Sequence, residues 1–375
     1  MDETEPQLDA IEDAVAAIAR GELVVVVDDL DRENEGDLIM SAAKATPENM
    51  AFMIRHTSGI ICVPLTAKRA HTLNLPPMVA NNIDPMRTAF TISVDYKVGM
   101  TTGIAANERA ATARALANDN CGGDDFIRPG HIFPLISREG GVLVRSGHTE
   151  AGTDLASLAG LEPIGVLAEI VNDDGTVKRL AELKVFAREH GLPIISIEDL
   201  ISYRVRRESF VTCAREMAST VAGHPCTIRI YETPFDAIQH VVAVFGDVAD
   251  RENVPVRIHR EQPVEDYFGT LGSARSWAQN AIKPIAEAGA GVLMLLRTAS
   301  ADEFDEPGST GEGGEDEHHQ SALVRRRRWR EVGVGAQILR DLRIRSIAEI
   351  ATGERTYVGL AGFGIAVAKT IIVDR

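Results

Sequence analysis

Residues 28–37 combine six carboxylates with one guanidinium, that of Arg32. Like charges at this density repel one another, and a divalent cation or a cationic partner among them relieves the repulsion. In an extended chain alternate side chains point to the same side, which groups Glu33, Glu35 and Asp37. A calcium loop does not fit, since either the mid-loop Gly or the acid at the twelfth position is missing. A solvated acidic turn remains the other interpretation, but the alternation favours a site for a metal ion and a polyol.

A second candidate site is Arg145-Ser-Gly-His-Thr149. Residues 141–144 predict a short strand before it, and Thr153 or Asp154 predicts the start of a helix after it. A strand, a glycine-bearing turn and a helix N-terminus form an anion-binding arrangement, because backbone N–H groups and the helix dipole favour a phosphate. Arg145 adds a charge-assisted contact. A lone histidine is usually structural, but the place of His148 beside this anion site favours a functional role.

Glu169 and His131 are the candidates for proton transfer. Residues 165–171 predict an apolar strand that carries Glu169. A carboxylate in a buried strand is costly unless it is paired or used as a general acid or base. A strand at the edge of the sheet, with the face that carries Glu169 exposed to solvent, explains a carboxylate at this position equally well. His131 fits either a loop histidine or a catalytic proton carrier.

The elements that must position these residues predict an αβ domain. Residues 23–27 are a continuous β-branched run, typical of a strand buried on both faces, and the acidic loop starts at its carboxyl end. Residues 8–20 have apolar side chains at helical spacing, and Gly21 ends that helix. Strand and helix patterns alternate as far as a helix through Ile201, so the domain ends near residue 205.

A second αβ domain is predicted for residues 206–375, in keeping with the chain length of 375. It has strand patterns at 227–230, 240–245, 254–259 and 291–296 and a helix pattern at 273–287. Residues 301–320 are acidic and Gly-rich and predict a disordered loop, with which the arginines at 325–328 can pair.

Composition limits the partners and the compartment. The net charge of −16 argues against nucleic acid or an anionic membrane as the main partner. Four scattered cysteines predict neither a disulfide framework nor a structural zinc site. No signal peptide or membrane-spanning run is predicted, so we expect a cytoplasmic protein.

Four motifs in order carry a resemblance to a known family. The sequence closely resembles 3,4-dihydroxy-2-butanone 4-phosphate synthase of riboflavin biosynthesis over residues 8–205, through the motifs at residues 28–37, Arg128-Pro-Gly-His-Ile-Phe-Pro134, Arg145-Ser-Gly-His-Thr-Glu150 and residues 165–169. The resemblance implies a lyase that converts D-ribulose 5-phosphate to formate and L-3,4-dihydroxy-2-butanone 4-phosphate. It also implies Mg²⁺ or Mn²⁺, two ions per site, no organic cofactor and a homodimer with sites near the subunit interface.

The resemblance also implies residue roles. Glu33 and His148 would ligate the metal pair, and His131 and Glu169 would transfer protons. The substrate and its phosphate would be held by Arg32, Glu33, Asp37, Arg145, Ser146, Gly147, His148, Thr149 and Glu169. At 105–109 the chain departs from the family pattern of Ser-Ala-x-Asp-Arg, because Ala105 and Glu108 replace the Ser and the Asp.

The second half is similar to GTP cyclohydrolase II at residues 333–342 and 358–364. That family holds a catalytic zinc with three cysteines, yet no Cys follows Cys226 and none lies in the corresponding region, residues 267–280. Around Arg330 the family's acid and Tyr are also missing, as is its Gly-Arg-Gly loop after Arg297. We therefore expect a catalytically inactive cyclohydrolase II-like domain without zinc.

The fold expected is thus an N-terminal three-layer αβ domain with a mixed sheet, followed by a cyclohydrolase II-like αβ domain. One rival hypothesis is a bifunctional enzyme that also opens GTP. Another is a non-catalytic scaffold, which predicts no metal binding and no formate.

Overall fold

The computed structural model of the chain describes residues 8–28, 32–234, 237–261, 266, 277–297, 333–351 and 365–373. The described residues up to Arg204 form one compact unit, here called unit 1, and those from Val205 on form unit 2. In each unit the described strands make a mixed seven-stranded sheet accompanied by helices, which confirms the predicted αβ class. Within these ranges no helix is long and apolar enough to cross a membrane.

Unit 1 has helices on both faces of its sheet. The strands are β1 (Val24–Val27), β2 (Gly36–Ser41), β3 (Cys62–Thr66), β4 (Val94–Tyr96), β5 (Phe126–Ser137), β6 (Gly165–Glu169) and β7 (Ile194–Ser196). The helices are α1 (Ile11–Arg20), α2 (Pro47–His56), α3 (Ala67–Thr72), α4 (Ala106–Leu116), α5 (His148–Leu158), α6 (Leu180–His190) and α7 (Ile197–Arg207). The sheet order is β4-β5-β3-β6-β2-β1-β7, with β3–β5 and β1–β7 parallel and the other pairs antiparallel.

Strand β1 lies between two cores, as its sequence predicts. All four of its valines are buried. Val25 and Val27 join the core formed with α2, α4 and α6. Val24 and Val26 point to the opposite face, where α1 and α5 contact β1. Helix α1 ends at Gly21, which has a φ of 86° as the predicted helix stop requires.

The segment before His148 is not the predicted strand. Gly141–Leu143 is a short 3₁₀ turn, and α5 begins at His148 rather than at Thr153 or Asp154. Gly140 and Gly141 have φ values of 89° and 62°, which an extended strand does not accommodate. Asp154 accepts a hydrogen bond from the Val142 N–H at 2.8 Å, which fixes the turn against the helix.

The predicted strand at 165–171 ends at Glu169, which therefore lies at its carboxyl end and not in its middle. Strand β6 lies between β3 and β2 in the interior of the sheet. The edge-strand explanation of Glu169 is therefore wrong.

Unit 2 contains β8 (Thr212–Val221), β9 (His224–Glu232), β10 (Gln239–Phe245), β11 (Val254–Arg260), β12 (Gly291–Leu296), β13 (Ser346–Ala351), β14 (Ala366–Ile372) and α8 (Trp277–Ala288). Residues 333–341 are also helical. The sheet order is β14-β13-β11-β12-β10-β9-β8, and the four predicted strands lie within β9 to β12. Strand β8 exposes most of its side chains and so lacks a regular apolar pattern. The predictions for residues 301–320, 325–332 and 358–364, and most of 267–280, fall outside the described residues.

An aromatic cluster joins α2 to α6, and it gives stability a pH dependence. Phe52, His56, Phe186 and His190 pack together, with the two histidine rings 5.0 Å apart. Burial, followed by the charges of His190 and Arg55, lowers the pKa of His56. The unfolded chain therefore takes up this proton at a higher pH than the folded chain, so the contribution of His56 is complete above about pH 6.5 and is lost as the pH falls.

We expect His56→Gln to weaken this acid-induced loss of stability. The difference between variant and wild type should amount to a few tenths of a kcal/mol between about pH 7 and pH 5.5, since the ring is partly exposed. Urea unfolding at the two pH values measures it, with the exposed His71→Gln as control. Identical pH dependence in wild type and His56→Gln would contradict the expectation.

Candidate active site

The loop between β1 and β2 is folded around the carboxylate of Asp28. Its Oδ1 accepts a hydrogen bond from the Glu35 N–H at 2.9 Å, and its Oδ2 accepts one from the Glu33 N–H at 3.0 Å. Arg32 Nη1 donates to Asp28 Oδ2 at 2.9 Å and to Glu33 Oε2 at 2.5 Å. From outside the loop, Arg179 donates to the Glu33 carbonyl at 2.7 Å. These contacts hold Arg32 and Glu33 in place.

His148 is the first residue of α5, and its ring is buried. Nε2 lies 3.1 Å from the Val26 carbonyl oxygen, and because a carbonyl only accepts, Nε2 carries the proton and Nδ1 the lone pair. Burial lowers the pKa of His148, which favours this neutral form. Nδ1 lies 3.9 Å from Glu33 Oε2 and 3.9 Å from Asp37 Oδ1. The structure thus brings Glu33, Asp37 and His148 together around one imidazole lone pair.

Asp37 is buried opposite Glu169. Its Oδ1 has no hydrogen-bond partner among the described residues. Asp37 lies directly opposite Glu169 in the pairing of β2 with β6. The backbone hydrogen bond next to them runs from the Ile170 N–H to the Gly36 carbonyl, so Asp37 and Glu169 are a non-hydrogen-bonded pair. The side chains of such a pair lie close together. Burial first, and then the charges of Glu169 and Glu33, raise the pKa of Asp37 well above its usual range. A nearby cation would offset these penalties.

These residues fit a hard divalent cation. Asp28, Glu33 and His148 each offer a ligand atom, and the three atoms lie within 4.8 Å of one another. The orphaned Asp37 Oδ1 faces the same imidazole nitrogen. Carboxylate oxygens with one imidazole suit Mg²⁺ or Mn²⁺. In the part of the chain that the structure describes, no other group of His, Cys, Asp and Glu side chains has this spacing.

Glu169 is held by Ser58, a residue that follows α2. Ser58 Oγ donates to Glu169 Oε2 at 2.8 Å, and the Ser58 N–H donates to the Glu169 carbonyl at 2.8 Å. The thiol of Cys62 lies nearby, and burial, with the charges of Glu169 and Asp37, raises its pKa. Cys62 is thus a neutral, buried thiol that belongs to the core of the unit.

The predicted anion site leads directly into α5. Gly147 is the N-cap, so the free N–H groups of the first helical turn lie beside Arg145 and Ser146. Arg145 Nη1 donates to the buried Glu150 carboxylate at 2.7 Å. A Cβ on Gly147 would lie 2.5 Å from Arg145 Nη1, so the guanidinium packs over this glycine. Thr149 is buried in the same turn. A guanidinium held in place and the free backbone N–H groups of a helix N-terminus are suited to bind a phosphate.

His131 belongs to a separate cluster. It lies on β5, with Nδ1 2.7 Å from Asp95 Oδ2 on β4. Among the described residues no hydrogen bond or ion pair joins His131 to Glu33, His148 or Glu169. Within the described residues of one copy of unit 1, His131 therefore makes no direct polar contact with the proposed metal ligands or with the other proton-transfer candidate.

The sequence did not predict the roles of three residues of the site, Asp28, Asp95 and Ser58. Asp28 was one of the six acids, but its role as the centre of the loop depends on backbone geometry. Asp95 stands in an ordinary polar position of a strand, and Ser58 in a turn. Neither has a signal in the sequence, because each acquires its partner only through tertiary contacts.

The chain is similar in sequence to families of known proteins. The profile of 3,4-dihydroxy-2-butanone 4-phosphate synthase matches residues 12–203, and that of GTP cyclohydrolase II matches residues 211–372. The chain is 43% identical over 367 residues to "Monofunctional riboflavin biosynthesis protein RIBA 2, chloroplastic" of Arabidopsis thaliana, covering 96% of this chain and 76% of that protein. It is 43% identical over 384 residues to "Riboflavin biosynthesis protein RibBA" of Nocardia farcinica, covering 97% and 90%.

Solved structures are similar too. RibBX, a two-domain 3,4-dihydroxy-2-butanone 4-phosphate synthase from A. baumannii, superposes with a TM-score of 0.75 at 34% identity over 97% of this chain and 99% of that chain. A 3,4-dihydroxy-2-butanone 4-phosphate synthase in complex with two magnesium ions has a TM-score of 0.52 at 46% identity, covering 53% of this chain and 98% of that chain.

Together the fold and the relatives define a lyase of riboflavin biosynthesis. The chain belongs to the 3,4-dihydroxy-2-butanone 4-phosphate synthase family. It has that synthase activity, and it also carries a GTP cyclohydrolase II domain.

Proposed function

We propose that residues 1–205 form a metal-dependent synthase domain that converts D-ribulose 5-phosphate to formate and L-3,4-dihydroxy-2-butanone 4-phosphate. The observation that carries the proposal is the meeting of Glu33 and Asp37 at the unprotonated Nδ1 of His148. A ketose phosphate offers adjacent oxygens to a cation at this place and a phosphate to the N-terminus of α5.

Glu33 and His148 hold Mg²⁺ or Mn²⁺ in this proposal, two ions per site, with Asp28 adjoining. When bound, the metal acts as a Lewis acid on adjacent substrate oxygens. Asp37 accepts hydrogen bonds from substrate hydroxyls. Arg32, Arg145, Ser146, Gly147 and Thr149 bind the substrate and its phosphate.

Glu169 and His131 transfer the protons. Enolisation of a ketose requires a base for the proton on the carbon beside the carbonyl and an acid for the oxygen. The Glu169 carboxylate faces Asp37 and is fixed by Ser58 through Oε2, so it is suited to take up or release a proton at Oε1. His131 offers Nε2 because its Nδ1 is bound to Asp95.

The site is proposed to be completed in a cytoplasmic homodimer. Over the described ranges, His131 makes no polar contact with Glu33, Asp37 or His148, and large apolar side chains are exposed on two segments next to it. Ile127 lies on the same strand, and Val98 and Ile104 lie on either side of the Gly103 turn that approaches the His131 ring. Burial of these side chains against a second copy favours association. Because the chain has a net charge of −16, we propose neither nucleic acid nor a membrane as a partner.

Formate release from ribulose 5-phosphate tests the synthase proposal. The full-length protein, stripped with EDTA, should be inactive and should regain activity with Mg²⁺ or Mn²⁺. If EDTA leaves formate production unchanged, the proposed metal dependence is wrong. If no divalent metal gives formate production, the result supports the hypothesis of a non-catalytic scaffold.

Residues 206–375 are proposed to form a cyclohydrolase II-like domain without catalysis or zinc. The sequence has no cysteine after Cys226 to hold a catalytic zinc. A relative that the chain matches over 76% of that protein's length is named monofunctional, and the A. baumannii protein is described as a two-domain synthase.

Incubation of the full chain with GTP and Zn²⁺ tests this part. We expect no diaminopyrimidine product and no formate from GTP. Formation of that product would establish the bifunctional alternative instead.

A further inference from the structure

The carboxylate of Asp95 receives two hydrogen bonds from one residue. The backbone N–H of His131 donates to Oδ1 at 2.9 Å, and the ring Nδ1 lies 2.7 Å from Oδ2. Asp95 is 3% exposed, whereas the His131 side chain is 42% exposed. The buried acid thus engages the inner ring nitrogen and leaves Nε2 outside the pair.

The backbone encloses this pair from two sides. A Cβ on Gly103 would lie 2.1 Å from Asp95 Oδ2 and 2.7 Å from His131 Nδ1. A Cβ on Gly130 would lie 2.0 Å from the carbonyl carbon of Val94. Side chains at either position would force the pair apart, so the two glycines allow the close approach of the chain.

Glu108 holds the turn that contains Gly103. Its carboxylate accepts hydrogen bonds from the Thr101 N–H, from Thr101 Oγ1 at 2.8 Å and from the Gly103 N–H at 2.9 Å. These bonds lower the pKa of Glu108, which keeps it ionised. This residue departs from the family pattern, and its longer arm serves the turn that closes over Asp95 and His131.

We propose that Asp95 is the positioning residue of His131. It fixes the ring as the tautomer with the proton on Nδ1, so that Nε2 is the proton acceptor, and the turn held by Glu108 keeps the ring in place. This inference rests on the proton-transfer role proposed for His131.

A buried arginine that interacts with Asp95 is hydrogen-bonded to the turn that carries Ser58. Asp95 interacts electrostatically with the buried guanidinium of Arg109, whose Nη1 donates to the Gly59 carbonyl at 3.1 Å. The neighbouring Ser58 donates to Glu169 at 2.8 Å.

Asp95→Asn tests the inference because an amide has one acceptor atom. The backbone N–H of His131 can only donate, so the amide oxygen must face it. The NH₂ group then faces Nδ1, which must become an acceptor, and the ring proton moves to Nε2. The basic nitrogen now points away from the reacting side.

In the full chain labelled with ¹⁵N-histidine, long-range ¹H–¹⁵N spectra at about pH 8 should show His131 protonated at Nδ1. Its signals are assigned among the ten histidines by their loss in His131→Gln. In Asp95→Asn the proton should be at Nε2, kcat should fall about 10²- to 10⁴-fold, and KM should change less than about threefold. Asp124→Asn, the same change at an exposed site, should match wild type.

An Nε2-protonated His131 in the wild-type protein would overturn the inference and needs no variant to fold. So would Asp95→Asn with an unchanged tautomer or unchanged kcat while His131→Ala is inactive. Full activity of His131→Ala would instead refute the proton-transfer role in the proposed function, and the spectra would still decide whether Asp95 fixes the ring.

Discussion

Glu33→Ala is expected to abolish formate production while the protein stays folded. Glu33 lies 3.9 Å from the lone pair of His148 and belongs to the one group of described residues with the spacing of metal ligands. Loss of several kcal/mol of Lewis-acid stabilisation corresponds to a fall in kcat of about 10³-fold or more. Affinity for Mn²⁺, measured by its electron paramagnetic resonance signal, should fall in parallel.

Stability should change little in the same variant. Arg32 loses one of its two carboxylate partners but keeps Asp28 at 2.9 Å. Against that loss, the charge of Glu33 is among the causes, after burial, of the raised pKa values of Asp37 and Glu35, and its removal relieves that repulsion. The free energy of unfolding of the metal-free protein should stay within about 1 kcal/mol of wild type.

Glu22→Gln is the matched control for Glu33→Ala, since it removes an acid from an exposed pair with Arg20. It should retain wild-type activity and metal binding. An active Glu33→Ala protein with normal Mn²⁺ affinity would refute the assignment of Glu33 as a ligand.

Glu169→Gln is expected to bind substrate and metal but to fail in turnover. The amide keeps the shape of the carboxylate, and its oxygen can still accept the hydrogen bond from Ser58. It cannot take up or release the proton, so kcat should fall about 10²- to 10⁴-fold. Single-turnover assays with measured substrate binding separate this loss of chemistry from a loss of affinity.

Ser58→Ala shows how much of the effect is positional. Without the hydroxyl, Glu169 loses its hydrogen bond at 2.8 Å but keeps its carboxyl group, so kcat should fall much less than in Glu169→Gln. Equal losses in the two variants, or a Glu169→Gln protein with near-normal kcat, would exclude proton transfer by Glu169.

Some of the site was predictable from the sequence because local chemistry marks it. The valines of β1 and the acids after them stand out by composition, and their strand and loop follow from it. The start of α5 was not predictable, because the three apolar residues before Arg145 resemble a strand in sequence. Gly140 and Gly141, which have left-handed backbone conformations, prevent that strand from forming. The position of Glu169 was found in sequence, but its interior strand and its partner Asp37 follow only from the sheet order.

Other features depend on contacts that no local pattern records. Asp95 and His131 are 36 residues apart and meet only when β4 pairs with β5. The same holds for β8, whose exposed side chains have no apolar alternation and which is fixed by its pairing with β9.

The hydrogen bond from His148 to Val26 closes a span of 122 residues. The site formed by Asp28, Glu33, Asp37 and His148 therefore requires β1, β2, β6 and α5 to be in their native positions at the same time. Contacts between residues so far apart in sequence form slowly. During refolding, helical circular dichroism should recover before formate production, and a divalent metal present from the start should act on the last phase alone. Catalysis in this chain thus reports the completion of folding.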